Sequence, residues 1–291
     1  MSIVEVKNLK AYYITRRYGR INRVMAVDGV SFQINKNEIY GIAGESGCGK
    51  STLLKAVSGL SKPPLQILEG EVTYNFDGEV LDILSLKEEK QRRSVRGVRI
   101  SNIPQGSMSV LNPVRRIRKS FQDIVGAHMD ISDKAKFESM VRDHLSALGL
   151  DWDVLHSFPH QLSGGMRQRI TIALATILKP DIIFADEPTT ALDVVVQRGV
   201  VQLIKKIKKE QRNTLVMVTH DLAIHANLCD RLAIMYAGKI VEEADVNLIF
   251  NSPKHPYTTM LLNSLPKLGD SSPRTSTPGA PPSLANPPSG C

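Results

Sequence analysis

An octapeptide rich in glycine, GESGCGKS at residues 44–51, carries the clearest chemical signal in the chain. It follows an apolar run and precedes a helical pattern, which is the context that the motif G-x-x-x-x-G-K-[ST] requires. Glycines let successive backbone N–H groups converge on one anion, and the N-terminus of a helix adds the positive end of its dipole. We therefore expect a nucleoside triphosphate site, with Lys50 at the β- and γ-phosphates and the Ser51 hydroxyl on Mg²⁺.

The loop and the start of the helix supply the residues predicted to contact the nucleotide. They are Gly44, Ser46, Gly47, Cys48, Gly49, Lys50, Ser51 and Thr52. Cys48 is expected to contribute backbone N–H groups rather than thiol chemistry.

Two adjacent carboxylates, Asp186 and Glu187, end the apolar run IIFA at residues 182–185. A carboxylate at the tip of a buried strand is suited to hold Mg²⁺, usually through water, so Asp186 is the predicted metal residue. Glu187 is then placed to polarise an attacking water as general base. Apolar runs that end in acidic pairs are common, but this one occurs in the same chain as the phosphate loop. The combination indicates nucleotide hydrolysis.

A second glycine-rich helix start lies at residues 162–166, LSGGM. Ser163, Gly164 and Gly165 form an anion-binding helix terminus by the same dipole and N–H argument. Taken alone, Ser163 is better explained as a plain N-cap. One nucleotide does not need two such cradles on one chain, so we expect the two to serve different nucleotides.

Hydrophobic patterning predicts the elements that position these residues. The first 35 residues favour β-branched side chains in loose alternation, which predicts short antiparallel strands. Short apolar runs separated by helical patterns predict a buried parallel sheet. These runs lie at residues 39–43, 182–185 and 215–218.

The middle and the end of the chain have different patterns. Between about residues 106 and 178 the pattern is helical, and Lys179-Pro180 ends its last long apolar face. Apolar positions at helical spacing around the lysines of 205–209 predict that these lysines are the solvated side of an amphipathic helix. From about residue 266 the chain is rich in Pro, Ser and Thr, which predicts an extended tail.

Composition excludes several classes of protein. The chain has 291 residues, of which 42% are hydrophobic and 23% charged, as in globular proteins of about two folding units. No uncharged apolar run approaches the ~20 residues of a membrane-spanning helix, and the start does not read as a signal peptide. Three cysteines are too few for a disulfide framework. The net charge of +8 is compatible with nucleic acid, anionic membranes or phosphorylated ligands.

The motifs together resemble the ABC ATPase family. The family's signature is close to LSGGQ followed by RQR, and this chain has LSGGM at 162–166 followed by RQR. The resemblance implies an α/β fold, an ABC-type P-loop NTPase core with an N-terminal antiparallel β subdomain and an inserted α-helical subdomain. It places the ATP-binding core at 1–105 and 179–250, the helical subdomain at 106–178 and a C-terminal extension at 251–291.

The resemblance also implies roles for single residues. In this family two subunits face each other head to tail, so Ser163, Gly164 and Gly165 would contact the partner's ATP, and Asp193 would lie in the interface loop. Gln105 corresponds to the glutamine that senses Mg²⁺ and the attacking water, and His220 to the switch histidine at the γ-phosphate. An aromatic ring at the end of the first strand would stack on adenine. Tyr13 is the predicted ring, with Tyr12 as the alternative, because alternation along a strand lets only one of them face the nucleotide.

Further segments are similar to the oligopeptide/dipeptide importer branch, which also includes importers of oligosaccharides. They are Arg96-Gly97, residues 107–113, HPYT at 255–258 and the proline-rich end. Members of this branch commonly carry further cysteines after a Gly-Cys that bind an iron–sulfur cluster. A cluster needs about four thiolates, so this chain could bind one only if it continues beyond Cys291.

The resemblance implies an ATP-hydrolysing, energy-coupling subunit at the cytoplasmic face of the membrane. Its implied partners are a second ATPase subunit, expected to be a different chain, two transmembrane permease subunits and an extracytoplasmic solute-binding protein. The alternatives are a soluble ABC ATPase that acts on nucleic acid or ribosomes, and a non-catalytic regulatory cassette. No nucleic-acid partner is expected, because the paired cassettes, coiled coils or zinc modules typical of that class are not seen, and the joint presence of Lys50, Glu187 and His220 argues against a regulatory role.

Overall fold

The computed structural model describes residues 1–86, 88–106, 110–265 and 279–288. The strands in chain order are β1 (Ser2–Arg17), β2 (Arg20–Asn35), β3 (Ile39–Ala43), β4 (Leu65–Phe76), β5 (Glu79–Asp82), β6 (Ile100–Ile103), β7 (Ile182–Asp186), β8 (Thr214–Val218), β9 (Arg231–Tyr236) and β10 (Lys239–Asp245). The helices are α1 (Lys50–Val57), α2 (Glu89–Val95), α3 (Ile117–Gly126), α4 (Lys134–Ala147), α5 (Gly164–Thr176), α6 (Val194–Gln211), α7 (Leu222–Leu228), α8 (Val246–Asn251) and α9 (Pro256–Asn263).

The chain forms two compact units. The first consists of Met1–Ser85 and Met217–Cys291, and the second of Leu86–Val216, so that the boundary passes through β8. This division groups β6 and β7 with the helices. The division by nucleotide-binding role, with a core at 1–105 and 179–250 and a helical subdomain at 106–178, stays a prediction.

The first unit contains the antiparallel sheet expected near the N-terminus, with strand order β2-β1-β4-β5. The prediction of short strands was wrong, because β1 and β2 have 16 residues each. Irregular register between them, around Asn8 and again near Tyr13, interrupts the simple alternation that a long strand would show. Asn8 adopts a positive φ of 45° there, and its N–H donates to the Ser31 hydroxyl at 2.8 Å.

The same unit pairs β3 in parallel with β9 and β9 antiparallel with β10. All five residues of β3 are buried, in agreement with the predicted buried strand. Gly41 allows α7 to approach β3 closely, because a Cβ at this position would lie 2.6 Å from His225 Nδ1 and 2.7 Å from Cys229 Sγ. The packing of α7 on Gly41 therefore holds β3 in place, and the phosphate loop begins directly after this strand.

In the second unit, β6 and β7 run parallel, and β7 is buried throughout. The described residues between 110 and 178 form α3, α4, α5 and 3-10 turns, as the helical pattern predicted. Helix α6 buries Val200, Leu203, Ile204 and Ile207, while its lysines are half-buried or exposed. The prediction that these lysines form the solvated side of an amphipathic helix is confirmed. Within the described ranges, no helix has the length and apolar character that crossing a bilayer would require.

The C-terminal part of the first unit contains α8, α9 and the described segment 279–288. The carbonyl of Leu284 accepts a hydrogen bond from the N–H of Met25 in β2 at 2.8 Å. Residues 266–278, where the predicted tail begins, lie outside the described residues, as do Cys291 and residues 107–109 of a branch-specific segment.

Candidate functional site

The phosphate loop joins β3 to α1 in the first unit. Gly49 is the N-cap of α1 and has a φ of 110°, a backbone conformation that favours glycine. A Cβ at Gly49 would lie 1.9 Å from the carbonyl oxygen of Ala26, and one at Gly44 would lie 2.1 Å from that of Met235. The two glycines of the motif are therefore required because backbone from β2 and β9 packs directly against the loop.

Lys50 closes over this loop. Its ammonium group donates to the carbonyl oxygens of Gly44 at 2.8 Å and Glu45 at 2.7 Å, and the residue is buried. The Sγ atom of Cys48 lies 3.7 Å from Lys50 Nζ. Burial raises the pKa of the Cys48 thiol, which keeps it protonated and agrees with a backbone role for this residue.

The two candidate adenine-stacking tyrosines differ in their surroundings. Tyr12 is buried, and its hydroxyl donates to the Asp28 carboxylate at 2.6 Å. Tyr13 is half-buried, and its hydroxyl lies 3.2 Å from that of Thr52 in the first turn of α1. This places Tyr13 beside the phosphate loop and supports it over Tyr12.

His220 follows β8 and is exposed. The residues around it are tightly held: the Thr219 hydroxyl accepts from the N–H of Asp221 at 3.1 Å, and the Asp221 carboxylate caps α7 by accepting from the N–H of Ala223 at 2.8 Å. His225, fully buried one turn into α7, has its Nε2 3.2 Å from the Thr219 carbonyl. These contacts hold the switch loop, by which we mean residues 219–221 around His220. The sequence did not predict the contact of His225 with Thr219, because it depends on how α7 packs.

In the second unit, Gln105 and Glu187 meet. Strands β6 and β7 are in register at Ile103 and Ala185, and the two side chains follow these paired residues by two positions each. The amide nitrogen of Gln105 donates to Oε2 of Glu187 at 3.0 Å, and the hydroxyl of Thr190 donates to the same oxygen at 2.8 Å. Glu187 has a φ of 48°, so its backbone turns sharply at the end of β7. Thr190 begins the segment of the predicted interface loop, residues 190–193, but its hydrogen bond to Glu187 was not predicted, although a hydroxyl three positions after Glu187 was a visible signal.

The LSGGM segment and the loop of Asp193 are also brought together in the second unit. Ser163 is exposed and caps α5 by accepting from the N–H of Met166 at 3.2 Å, and Asp193 caps α6 by accepting from that of Val196 at 2.9 Å. A Cβ at Gly165 would lie 2.8 Å from Val196 Cγ1, so glycine is required where the two helix starts pack. Ser163 is therefore an N-cap, and its contact with a partner's ATP stays a prediction.

The donors predicted for Mg²⁺ are the Ser51 hydroxyl, the buried Asp186 carboxylate and the Gln105 amide. All three offer oxygen, which Mg²⁺ prefers, and Mg²⁺ sites on nucleotides need only one or two carboxylates beside phosphate and water. Within the described ranges, no group of three or more His, Cys, Asp or Glu residues could form an all-protein metal cage. These residue types suit a metal that is held jointly with phosphates, and their binding of one Mg²⁺ stays a prediction.

Comparison with known proteins agrees with these features. Residues 27–190 match the family described as "ABC transporter", and residues 241–291 match "Oligopeptide/dipeptide transporter, C-terminal region". The dipeptide transport ATP-binding protein DppD of Caldanaerobacter subterraneus is 40% identical, with 99% of this chain and 86% of that protein aligned. The oligopeptide transport ATP-binding protein OppD of Bacillus subtilis is 41% identical, with 99% of this chain and 79% of that protein aligned.

Solved structures extend the comparison to the fold. A dimeric, post-hydrolysis structure of the ATP-binding cassette MJ0796 bound to ADP and Pi superposes with a TM-score of 0.70 at 27% identity, covering 84% of this chain and 99% of that one. This confirms the predicted α/β cassette fold. The chain belongs to the ABC transporter family, as an ATP-binding and ATP-hydrolysing subunit.

Proposed function

We propose that this chain powers the import of peptides by hydrolysing ATP on the cytoplasmic side of a membrane permease. The observation that carries the catalytic part is the Glu187 carboxylate, which Gln105 and Thr190 hold at the end of β7. The cargo class is supported by the match of residues 241–291 to a peptide-transporter region and by relatives named as dipeptide and oligopeptide transport proteins. An oligosaccharide cargo is the alternative within this branch.

The proposed chemistry is positioning and charge stabilisation. Backbone N–H groups of the loop and the Lys50 ammonium bind the phosphates. Mg²⁺, when bound to Ser51, Asp186 and Gln105, would neutralise charge that develops on the phosphate oxygens. Glu187 accepts a proton from the attacking water, and His220 contacts the γ-phosphate.

The proposed working unit is a head-to-tail pair of ATPase subunits. Ser163, Gly164, Gly165 and Asp193 lie at two helix N-termini, where N–H groups and the helix dipole favour a phosphate. The dimeric state of the related cassette bound to ADP and Pi supports this arrangement. ATP binding would close the pair, and hydrolysis would reopen it.

The remaining partners follow from the same family. They are a second and different ATPase subunit, two permease subunits and an extracytoplasmic solute-binding protein, and together they would hold the chain peripherally at the membrane. An iron–sulfur cluster belongs to this proposal only for a chain with further cysteines after Cys291.

Purification of the tagged chain from its native membrane tests the proposal. We expect permease subunits to co-purify and the ATPase activity of the complex to rise when peptide and binding protein are added. Co-purification with RNA or ribosomes, together with salt-dependent binding to nucleic acid, would instead support the soluble ABC ATPase.

A further inference from the structure

The C-terminal extension forms a hydrogen bond with the phosphate loop. The hydroxyl oxygen of Tyr257, in the first turn of α9, accepts a hydrogen bond from the backbone N–H of Glu45 at 3.1 Å. Tyr257 is buried, and burial raises the pKa of its phenol, so the hydroxyl remains protonated and neutral. A residue more than two hundred positions away in sequence therefore binds the second residue of the motif.

The peptide group between Gly44 and Glu45 is held from both sides. Its carbonyl oxygen accepts from Lys50 Nζ at 2.8 Å, and its N–H donates to Tyr257 at 3.1 Å. In a trans peptide the C=O and N–H bonds point in opposite directions, so one plane connects the ammonium group on one side to the phenol on the other. Tyr257 and Lys50 together fix the orientation of this plane.

The plane needs such support because glycine precedes it. Gly44 has a φ of 147°, and glycine accepts many backbone conformations, so rotation of the 44–45 peptide meets little local resistance. A rotated plane would turn the carbonyl away from Lys50 and take the N–H of the half-buried residue Glu45 away from its acceptor, the Tyr257 hydroxyl. The hydrogen bond to Tyr257 opposes that rotation.

Hydrogen bonds at the start of α9 and a ring contact hold Tyr257 in place. His255 caps α9, because its Nδ1 lies 3.2 Å from the N–H of Tyr257, and Pro256 opens the helix. The Glu242 carboxylate accepts from the N–H groups of Lys254 at 2.7 Å and His255 at 3.0 Å. The Tyr257 ring packs on that of Tyr236 with centroids 4.5 Å apart. The HPYT segment at residues 255–258 therefore starts α9 and orients Tyr257 toward the phosphate loop.

We propose that Tyr257 is a positioning residue of the phosphate loop, through which the C-terminal extension sets the affinity of the subunit for ATP. This inference rests on the proposed role of Gly44–Ser51 and Lys50 in ATP binding. Tyr257 does not touch the reacting atoms. It acts by holding the peptide plane that binds Lys50, so its loss weakens binding rather than the chemical step.

The substitution Tyr257→Phe removes one oxygen and keeps the ring. Measured by titration calorimetry on the full chain, the Kd for ATP is expected to rise about three- to tenfold, the range of one neutral hydrogen bond. In the purified transporter, kcat at saturating ATP is expected to change by less than about twofold. Tyr236→Phe, which removes a hydroxyl from the neighbouring ring, is the matched control and is expected to leave both values unchanged.

Two results would overturn the inference. One is an unchanged Kd for Tyr257→Phe while Lys50→Ala loses ATP binding, and the other is a fall in kcat with Kd unchanged. If Lys50→Ala also binds ATP normally, the proposed function itself fails. Should Tyr257→Phe fold poorly, His255→Ala offers a second route, since it removes the cap of α9 and keeps Tyr257; a Kd equal to wild type in that folded variant would count against the proposal.

Discussion

The amide nitrogen of Gln105 donates a hydrogen bond to Oε2 of Glu187 at 3.0 Å. The pairing of β6 with β7 makes this contact possible, since Ile103 lies opposite Ala185 and each interacting side chain follows two residues later, just after its strand has ended. The proposed metal-sensing residue is thus linked directly to the proposed base. Movement of the segment around Gln105 would shift the Glu187 carboxylate through this hydrogen bond. Such a shift would change how the proposed base is oriented for hydrolysis.

The substitution Glu187→Gln tests the general base. The amide keeps an oxygen that can accept the bonds from Gln105 and Thr190, but it cannot take a proton from water. We expect phosphate release to fall by about 10²- to 10⁴-fold, the usual contribution of a general base, while ATP binding is retained. The variant should also accumulate as an ATP-bound dimer in gel filtration. Normal turnover would remove Glu187 from the mechanism.

Thr190 offers a finer test of the same carboxylate. Its hydroxyl donates to Glu187 Oε2 at 2.8 Å. The substitution Thr190→Val keeps the shape of the side chain but removes this hydrogen-bond donor. We expect kcat to fall about tenfold to a hundredfold in this variant, in keeping with the loss of one hydrogen bond to a charged group, with the Kd for ATP unchanged. Thr190→Ser keeps the donor and is expected to retain activity. Equal activities of the Val and Ser variants would show that the hydroxyl does not orient Glu187.

Lys50→Ala tests the phosphate loop. Removal of the ammonium group that lies over the carbonyls of Gly44 and Glu45 is expected to weaken ATP binding by about tenfold to a hundredfold, as for a charge-assisted hydrogen bond. Lys55→Ala, on the exposed side of the same helix, controls for a change in net charge. Similar affinities of the two variants in a nucleotide titration would contradict the assignment.

How far the sequence predicts this molecule depends on whether an interaction is local. The phosphate loop, the buried runs that lead to Gly44 and Asp186, and the N-cap at Ser163 all follow from short-range pattern. The hydrogen bond from Glu45 to Tyr257 does not, because it joins residues 212 positions apart. The irregular pairing of β1 with β2 was missed for a related reason, since β-branched residues favour strands but do not show where a bulge interrupts them.

Ser163 caps α5, and a pair of substitutions can separate this role from the contact that we propose with the partner's phosphate. Ser163→Asn and Ser163→Asp both keep an N-cap acceptor for the N–H of Met166, so the stability of the subunit should change by less than about 0.5 kcal/mol. Only the aspartate adds a negative charge where the partner's phosphate is proposed to lie. In the Glu187→Gln background, we expect Ser163→Asp to abolish the ATP-dependent dimer in gel filtration and Ser163→Asn to retain it. Dimers formed equally by both would argue that Ser163 faces no phosphate.

His225 should make the stability of the first unit depend on pH. It is fully buried, and burial lowers its pKa to about 4 from an ordinary value of 6.5. Between these two values the unfolded chain binds a proton that the folded chain excludes, so stability is complete above pH 6.5 and is lost as the pH falls towards 4. The difference corresponds to about 3 kcal/mol at most.

The neutral ring also fixes the hydrogen-bonding pattern around the switch loop. With Nε2 3.2 Å from the Thr219 carbonyl, the ring nitrogen there must carry the proton, which leaves Nδ1 to accept from the Cys229 thiol at 3.3 Å. His225→Gln should therefore show a smaller loss of Tm between pH 6.5 and 4.5 than wild type, whereas His156→Gln, at an exposed position, should follow wild type. If wild type and His225→Gln lose Tm in parallel over this range, another group governs the acid sensitivity, and the neutral buried imidazole beneath Thr219 is not the cause.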